Sequence, residues 1–377
     1  MPITVAVVRE TAPTERRVAL VPEVAKKLKN RGAALLMQSG AGQLAEIPDN
    51  TYADVEAVAD AKTVLNRADV LLKVQPPTLE EIAGLREGAV VIGYLQPHLA
   101  PERTRALAQH KITAFAMELL PRTTRAQAMD VLSSQAAVAG YKAVLIAALE
   151  APKFFPMLTT AAGTIRPSRV LIIGAGVAGL QAIATARRLG AMVEGFDVRP
   201  ETREQIESLG AKFLDLGVTA AGSGGYAREL TQEERDKQQA ALAEHVKGVD
   251  VIITTAAVPG RKAPRIISKV MVEGMKPGSV IVDIAAESGG NCELSEAGNK
   301  INHQGVAIIG PVNLAASTPI HASEMYSRNL YNFLELSLKD GALNFDWNDE
   351  LIAKTCLTHA GEIKHEATRQ LVAGGQS

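Results

Sequence analysis

Short runs of Val, Ile and Leu alternate with longer stretches of helical periodicity along the first third of the chain. The apolar runs predict strands at residues 3–8, 33–38, 69–74, 89–93 and 112–117, and the stretches between them predict helices at residues 22–31, 51–67 and 101–110. Such alternation is typical of repeated βαβ units around a buried parallel sheet. We therefore predict an α/β domain in this part of the chain.

A second series of the same kind follows a long predicted helix over residues 125–150. Its predicted strands are residues 169–173, 192–197, 211–214, 250–254, 279–283 and 306–309. A later amphipathic pattern predicts a helix over residues 318–338 that returns the chain to the first domain. We thus predict two Rossmann-like α/β domains with mostly parallel sheets, a cleft between them and long linking helices. The predicted bounds are residues 1–130 with 325–377, and residues 131–324.

Composition and charge are those of an ordinary globular protein. The 377 residues are 47% hydrophobic and 21% charged, and 40 Lys and Arg face 41 Asp and Glu. This balance provides no excess positive field for a phosphate backbone or an anionic membrane, so nucleic acid is not an expected partner. The first apolar run is too short for a signal peptide, and Lys142 interrupts the apolar stretch 136–149. The sequence therefore predicts a cytoplasmic protein without a membrane span of its own.

The two cysteines predict neither metal nor redox chemistry. Cys292 and Cys356 lie 64 residues apart, outside the spacings of metal-binding and redox motifs. They are expected to be buried thiols in a reducing compartment. Cys292 has no neighbouring histidine in the sequence, so a role as a nucleophile is not expected. No metal site is predicted.

The most specific local motif is a glycine-rich turn between a predicted strand and a predicted helix. Residues 174–179 read Gly-Ala-Gly-Val-Ala-Gly, which is the G-x-G-x-x-G pattern of dinucleotide-binding folds. In that pattern Gly174 permits the tight turn, Gly176 lets a pyrophosphate approach the backbone, and Gly179 lets the helix pack on the strand. We therefore predict dinucleotide binding at this turn.

An acid at the end of the next predicted strand supports this prediction. Asp197 follows Gly179 by 18 residues, where a carboxylate accepts hydrogen bonds from adenosine ribose hydroxyls. A carboxylate there would repel a 2′-phosphate, so NAD(H) is expected rather than NADP(H). Arg199 is either solvated or in contact with the nucleotide. The loop over residues 285–292 follows a strand and is expected to line the nicotinamide pocket.

A polar run opens the long predicted helix, which is expected to start near Arg125. Gln127, Asp130 and Ser134 then share one helical face. Their amide, carboxylate and hydroxyl groups suit a nicotinamide carboxamide, and Arg122 suits a phosphate or carboxamide oxygen. Capping of the helix start explains the same residues without any ligand.

Several other residues allow two interpretations. Glycines flank Tyr226 within residues 220–230, which indicates either a flap that closes over a site or a plain surface loop. Lys73, at the end of a predicted strand, either grips a substrate carboxylate or has a structural role. Surface pairing is expected for Arg17, and His98 is expected to be a loop histidine rather than an acid or base.

Five longer runs together resemble the NAD(H)-binding domain I of proton-translocating NAD(P) transhydrogenases: residues 121–135, 160–185, 224–227, 253–264 and 289–292. The resemblance covers essentially the whole chain. It implies an enzyme of the Si-/Re-specific type, in which hydride passes directly between NAD(H) on this subunit and NADP(H) on a partner. Such a transfer needs no general acid or nucleophile, only orientation of two nicotinamides and exclusion of water.

The resemblance also implies roles for individual residues. The implied catalytic residues, which position the nicotinamide or close the site, are Arg122, Gln127, Asp130, Ser133 and Tyr226. Gln127 would also reach toward the NADP(H) of the partner. Further nucleotide contacts are implied for Thr123, Thr124, Arg125, Gly174, Gly176, Val177, Gly179, Asp197, Val198, Arg199, Gly225, Gln238 and Ala257. Ala257 departs from the family, in which leucine is usual.

Assembly and two alternatives complete the sequence-based expectations. The resemblance implies a homodimer that docks on NADP(H)-binding and membrane-spanning subunits at the cytoplasmic face of the inner membrane, with hydride transfer coupled to proton translocation. Alanine dehydrogenase is related, and Arg17 and Lys73 would hold its amino-acid carboxylate. Its catalytic histidine follows a Tyr-Leu pair, however, and here Gln96 follows Tyr94 and Leu95. A non-catalytic NAD-sensing module is the alternative from another class.

Overall fold

The computed structural model describes residues 2–220, 228, 230–257 and 262–374. The chain divides into two compact units, Met1–Gln135 with Ala316–Ser377, and Ala136–Ala315. Each unit contains its own parallel-rich sheet, so the predicted α/β fold with two Rossmann-like sheets is confirmed. The domain bounds drawn from the sequence, at residues 130/131 and 324/325, stay a prediction about independently folding parts.

Every strand predicted from an apolar run is present within one residue of its predicted ends. In the first unit, β1–β6 are Thr4–Val7, Ala34–Gln38, Glu56–Val58, Val70–Lys73, Val90–Gly93 and Thr113–Ala116. In the second, β7–β15 are Leu158–Thr160, Gly163–Ile165, Arg169–Ile173, Met192–Phe196, Lys212–Phe213, Val251–Thr254, Val280–Asp283, Lys300–His303 and Val306–Ile309. The first unit then adds β16–β19, which are Leu338–Lys339, Ala342–Leu343, Cys356–His359 and Glu362–Ile363.

Helices connect these strands. They are α1 Pro22–Asn30, α2 Ala61–Arg67, α3 Leu79–Gly84, α4 Pro101–Gln109, α5 Val131–Glu150, α6 Val177–Arg188, α7 Thr202–Ser208, α8 Gln232–Val246, α9 Lys269–Glu273, α10 Pro319–Glu335, α11 Glu350–Thr355 and α12 Glu366–Gly374. Parallel strands need such crossover connections, which cover the faces of the sheet.

The first unit has an eight-stranded sheet in the order β19-β18-β6-β5-β4-β1-β2-β3. Strands β1–β6 pair in parallel, and β18 adds to β6 in the antiparallel direction. Residues of β1 alternate between two apolar clusters, with Val5 and Val7 in one cluster and Ala6 in the other. The sheet is therefore buried on both faces, which explains the continuous apolar runs.

The second unit has a seven-stranded sheet in the order β11-β10-β9-β12-β13-β15-β14. The described pairs are parallel from β11 to β15, and β14 pairs with β15 in the antiparallel direction. Strand order reverses between β9 and β12. In open α/β sheets of this kind, ligands bind beyond the carboxyl ends of the strands at the point of reversal.

Two predicted helices are corrected by the structure. Residues 51–67 are not one helix, because Glu56–Val58 pairs with β2 as an edge strand, and Asp60 caps α2 by accepting the backbone N–H of Thr63. The helix predicted from residue 125 begins at Val131, and Thr124–Met129 forms a 3₁₀ helix before it. Asp130 separates the two with an extended backbone, at φ -76° and ψ 92°.

Helix α5 is, among the described helices, the one that is long and apolar enough to cross a membrane by length and composition. By length and composition, Lys142 therefore does not exclude a membrane span at α5, contrary to the expectation from the sequence. Ala143, Val144 and Ala147 are completely buried in an apolar cluster of the second unit. This burial is what a core helix of a globular domain requires.

Candidate dinucleotide-binding site

The glycine turn lies at the carboxyl end of β9, beside the end of β12. Gly174 has φ +94°, in the left-handed region that glycine adopts without strain. The Thr255 hydroxyl, just after β12, donates a hydrogen bond to the Gly174 carbonyl at 3.0 Å. A Cβ on Gly174 would lie 2.6 Å from Thr255 Oγ1, so a side chain at this position would disrupt the contact.

The other two glycines of the motif have different surroundings. A Cβ on Gly179 would lie 1.8 Å from the Gly174 carbonyl oxygen, so this glycine is required for the close approach of α6 to the turn. A Cβ on Gly176 would meet no heavy atom of the described residues within 4 Å. Gly176 precedes α6 and has no side chain to cap its first turn. Backbone N–H groups and the helix dipole therefore face open space, which fits a pyrophosphate.

Asp197 directly follows β10 and is tied to both the glycine turn and Arg199. Its Oδ2 accepts the Ala175 N–H at 2.8 Å and Arg199 Nη2 at 2.7 Å, and its Oδ1 accepts Arg199 Nε at 2.9 Å. Burial alone would raise the pKa of the carboxyl, but hydrogen bonds from Arg199 and Ala175 lower it. Arg199 is thus an ion-pair partner of Asp197, and its interpretation as a solvated turn residue is wrong.

Two buried polar residues that were not predicted from the sequence shape the neighbouring loops. Asn291 is fully buried, accepts the Ala256 N–H at 3.0 Å, and donates to the carbonyls of Ala256 and Pro264, both at 2.8 Å. Asp283 accepts the Thr254 hydroxyl at 2.9 Å and the Cys292 N–H at 3.0 Å. These bonds connect the loop over residues 285–292 to the end of β12. The sequence signal that could have identified Asp283 is an acidic residue at the end of a predicted buried strand.

The remaining predicted nucleotide contacts of the second unit differ in accessibility. Gln238 is buried on α8, Val198 is half-buried, and Ala257 is exposed just after β12. Gly225, an implied nucleotide contact, and Tyr226, in the segment predicted to be either a flap or a surface loop, lie outside the described residues.

The polar run before α5 begins the helix rather than forming one face of it. Asp130 precedes α5, and its carboxylate accepts the Ser133 N–H at 2.9 Å and the Ser133 hydroxyl at 2.5 Å. Ser134 donates to Asn329 at 2.7 Å. The helical-face interpretation of Gln127 with Asp130 is therefore wrong, because the chain leaves helical geometry at Asp130. Capping is observed.

The other members of this run lie at the surface of the first unit. Arg122, Thr124 and Gln127 are exposed. Arg125 is exposed and paired through both guanidinium nitrogens with Asp349. Thr123 is half-buried, and its Oγ1 is buried without a hydrogen-bond partner among the described residues.

A buried charged cluster occupies the point of strand reversal in the first sheet, between β1 and β4. The Lys73 ammonium lies 2.9 Å from Glu10 and 3.0 Å from Glu81. Arg17 pairs with Glu15 at 2.7 Å and donates to Gln135 at 2.8 Å. Arg17 is 5% exposed, so the expectation of surface pairing is wrong: its partner is buried with it.

Glu118 organises the turn after β5, where Gln96 is found. Its carboxylate accepts the N–H groups of Leu95 at 3.0 Å and Gln96 at 2.5 Å, and burial raises its pKa. Gln96 has φ +47°, and His98 is exposed two residues later.

Both cysteines are buried thiols, as expected. Burial raises the pKa of Cys292 to about 11 and that of Cys356 to about 12. A thiolate is the nucleophilic form, so neither residue is suited to nucleophilic catalysis near neutral pH.

Comparison with known proteins shows similarity along nearly the whole chain. The family model "Alanine dehydrogenase/PNT, N-terminal domain" matches residues 6–139, and "Alanine dehydrogenase/PNT, C-terminal domain" matches residues 143–366. An NAD(P) transhydrogenase alpha-subunit protein of Rhodospirillum rubrum is 46% identical over 376 residues, which cover 96% of this chain and 98% of that protein.

Two solved structures share the fold. A transhydrogenase from Sinorhizobium meliloti is 46% identical, with a TM-score of 0.84 and coverage of 97% of this chain and 99% of its own. An L-alanine dehydrogenase is 25% identical, with a TM-score of 0.81 and full coverage of both chains. The resemblance drawn from the sequence is therefore confirmed, together with the relation to alanine dehydrogenase.

Proposed function

The chain belongs to the alanine dehydrogenase/PNT family, and from that premise we propose that it is the NAD(H)-binding subunit of a proton-translocating NAD(P) transhydrogenase. Membership makes it a nucleotide-binding oxidoreductase with a Rossmann-like fold. The observation that carries the finer proposal is the end-to-end similarity to a transhydrogenase alpha subunit. Direct hydride exchange with NADP(H) on a partner, of the Si-/Re-specific type, is the proposed reaction.

Residues of the second unit would hold the NAD(H). The open space at Gly176 and the first turn of α6 suit the pyrophosphate, with Val177 at the helix start. Asp197, at the end of β10, suits the adenosine ribose. The proposal also assigns nucleotide contacts to Val198, Arg199, Gly225, Gln238 and Ala257.

The polar run before α5 is proposed to orient the nicotinamide. Gln127 and Arg122 are exposed, whereas Asp130 and Ser133 bond each other. Asp130 and Ser133 would act indirectly. They fix the start of α5, and this start sets the position of the preceding 3₁₀ turn. Bound NAD(H) supplies or accepts the hydride. The chain's residues contribute orientation and exclusion of water, with Tyr226 as the proposed closing residue.

Assembly is proposed from exposed apolar side chains on the second unit. Tyr141 and Leu149 of α5, Phe154, Met157 and Ile165 are exposed although large and apolar. Aromatic residues and Met are enriched at subunit interfaces relative to the rest of the surface. We propose that this surface forms a homodimer, and that NADP(H)-binding and membrane-spanning partners hold the chain at the cytoplasmic face of the inner membrane, where transfer is coupled to proton translocation.

Reconstitution tests the proposal directly. The chain is mixed with an NADP(H)-binding transhydrogenase domain, and NADH oxidation is followed while NADP⁺ is reduced. We expect turnover that requires both proteins. An NAD-sensing module would bind NADH without any transfer, and that result would contradict the enzyme assignment.

Alanine dehydrogenase is the alternative enzyme, favoured by the shared fold and by buried Arg17 and Lys73. Gln96 stands where that enzyme has its catalytic histidine, and an amide does not exchange protons as an acid or base. Pyruvate and ammonia should therefore give no NADH oxidation. Rapid turnover with these substrates would replace the transhydrogenase proposal.

A further inference from the structure

Hydrogen-bond donors of the protein already occupy the carboxylate of Asp197, the residue that follows β10. Asp197 Oδ1 accepts the backbone N–H and Nε–H of Arg199, both at 2.9 Å. Oδ2 accepts the Ala175 N–H at 2.8 Å and Arg199 Nη2 at 2.7 Å. A carboxylate has about four acceptor positions, so these four donors fill them. A ribose with two hydroxyl donors must therefore replace two of these four donors.

The Arg199 guanidinium is the partner that a ribose can replace at least cost. The other two bonds come from backbone N–H groups, one of them in the glycine turn, and losing them would require the backbone to move. The guanidinium can leave by rotation of its own side chain. The backbone bonds then keep the carboxylate in place.

The pair also changes the electrostatics near the position of a 2′-phosphate. The Asp197 and Arg199 side chains are 8% and 16% exposed, so their charges oppose each other with little screening by water. The negative charge that was expected to repel a 2′-phosphate is therefore largely cancelled. An arginine beside this acid is also the group that accommodates a 2′-phosphate in NADP-binding folds.

We propose that Arg199 is a specificity-determining residue. Its guanidinium pairs with Asp197 and moves aside when the ribose diol of NAD(H) binds. The same guanidinium gives the site a residual affinity for NADP(H) that Asp197 alone would abolish. The inference rests on the proposed binding of NAD(H). The Asp197–Arg199 pair, rather than the acid alone, then sets the ratio of the two affinities.

Fluorescence titration of the full chain with NADH and with NADPH tests this inference. The variants are Arg199→Gln, which removes the charge, and Arg199→Lys, which keeps the charge but not the two-pronged geometry. Arg203→Gln is the matched control, because Arg203 lies four residues further on and pairs with a different acid, Asp215, at 2.6 Å. Melting temperatures confirm that each variant is folded.

The expected result concerns the ratio of NADPH to NADH dissociation constants. In Arg199→Gln the ratio rises about tenfold or more, because NADPH loses a charged partner for its 2′-phosphate, a group that NADH does not carry. Arg199→Lys gives an intermediate ratio, and Arg203→Gln stays within about twofold of the unaltered chain.

One result would overturn the inference alone, namely a ratio in Arg199→Gln within about twofold of the unaltered chain. An equal loss of NADH and NADPH affinity, which a purely structural role predicts, leaves the ratio unchanged and counts as this result. Failure of the unaltered chain to bind NADH would instead remove the proposed function, and this inference with it. The two failures are thus distinguishable.

Discussion

The Asp130 carboxylate binds both donors of Ser133, accepting its backbone N–H at 2.9 Å and its hydroxyl at 2.5 Å. Both residues are assigned to nicotinamide orientation by the family resemblance, yet each is already engaged at the start of α5. Helix capping and ligand orientation make different demands on these residues. Stability and transfer rate therefore need to be measured separately for each variant.

Asp130→Ala is expected to destabilise the protein. Loss of a side-chain cap costs about 0.5–2 kcal/mol, and both bonds to Ser133 are lost together. Ser133→Ala keeps the backbone bond and should cost less. Urea denaturation followed by circular dichroism measures both, and an unchanged midpoint in Asp130→Ala would show that the cap contributes nothing.

Gln127→Ala is expected to slow hydride transfer without affecting stability. The side chain is exposed, so the free energy of unfolding should change by less than about 0.5 kcal/mol. Misplacement of the nicotinamide should slow transfer on the order of 10²-fold. Stopped-flow mixing with the NADP(H)-binding domain measures the rate, and a near-normal rate would remove Gln127 from the proposed site.

Alanine at two glycines of the turn should have different effects, one on NADH binding and the other on stability. Gly176→Ala adds a methyl group to open space, so the protein should fold normally but bind NADH at least about tenfold more weakly, because the pyrophosphate loses its close approach. Gly179→Ala drives a methyl group into the Gly174 carbonyl and should lower the melting temperature. Normal NADH affinity in Gly176→Ala would place the pyrophosphate elsewhere.

The Glu15–Arg17 pair should make stability depend on pH in the acid range. Burial would raise the pKa of Glu15, but hydrogen bonds and the charge of Arg17 lower it to about 2 from 4.5. Because the folded-state pKa is depressed, this stabilisation is complete above pH 4.5 and is lost as pH falls toward 2. Glu15→Gln should unfold more easily at neutral pH, by about 3–5 kcal/mol, since Arg17 loses its buried carboxylate. The melting temperature of that variant should fall less steeply between pH 4.5 and 2, and parallel curves would contradict this.

Both cysteines should be unreactive in the folded protein. With pKa values of about 11 and about 12, they carry a thiolate fraction at pH 8 on the order of 10⁻³ or less. A thiol-specific chromogenic reagent should release its product only when denaturant is added. Immediate reaction of one thiol in the native chain would contradict the observed burial.

Local sequence was sufficient for the interior parallel strands of the two sheets and for the glycine turn. Apolar runs predicted β9 and β12, since a strand buried on both faces must be apolar along its length. The edge strand Glu56–Val58 escaped prediction because its burial is slight, and its pairing with β2 depends on the rest of the sheet. The start of α5 was misplaced because Thr124–Met129 is helical in periodicity but 3₁₀ in geometry.

By itself, the sequence determined the two Rossmann-like sheets, the position of the dinucleotide turn and the acid that follows the next strand. These depend on residue spacing within short segments. Only the tertiary structure decided how the charges pair, because the partners of a side chain come from distant segments or from backbone geometry. Arg17 meets Gln135 and Arg125 meets Asp349 across 118 and 224 residues. The Arg199 guanidinium occupies acceptor positions of the Asp197 carboxylate because the turn after β10 folds back on that carboxylate. The hydrophobic periodicity of the sequence does not encode this geometry.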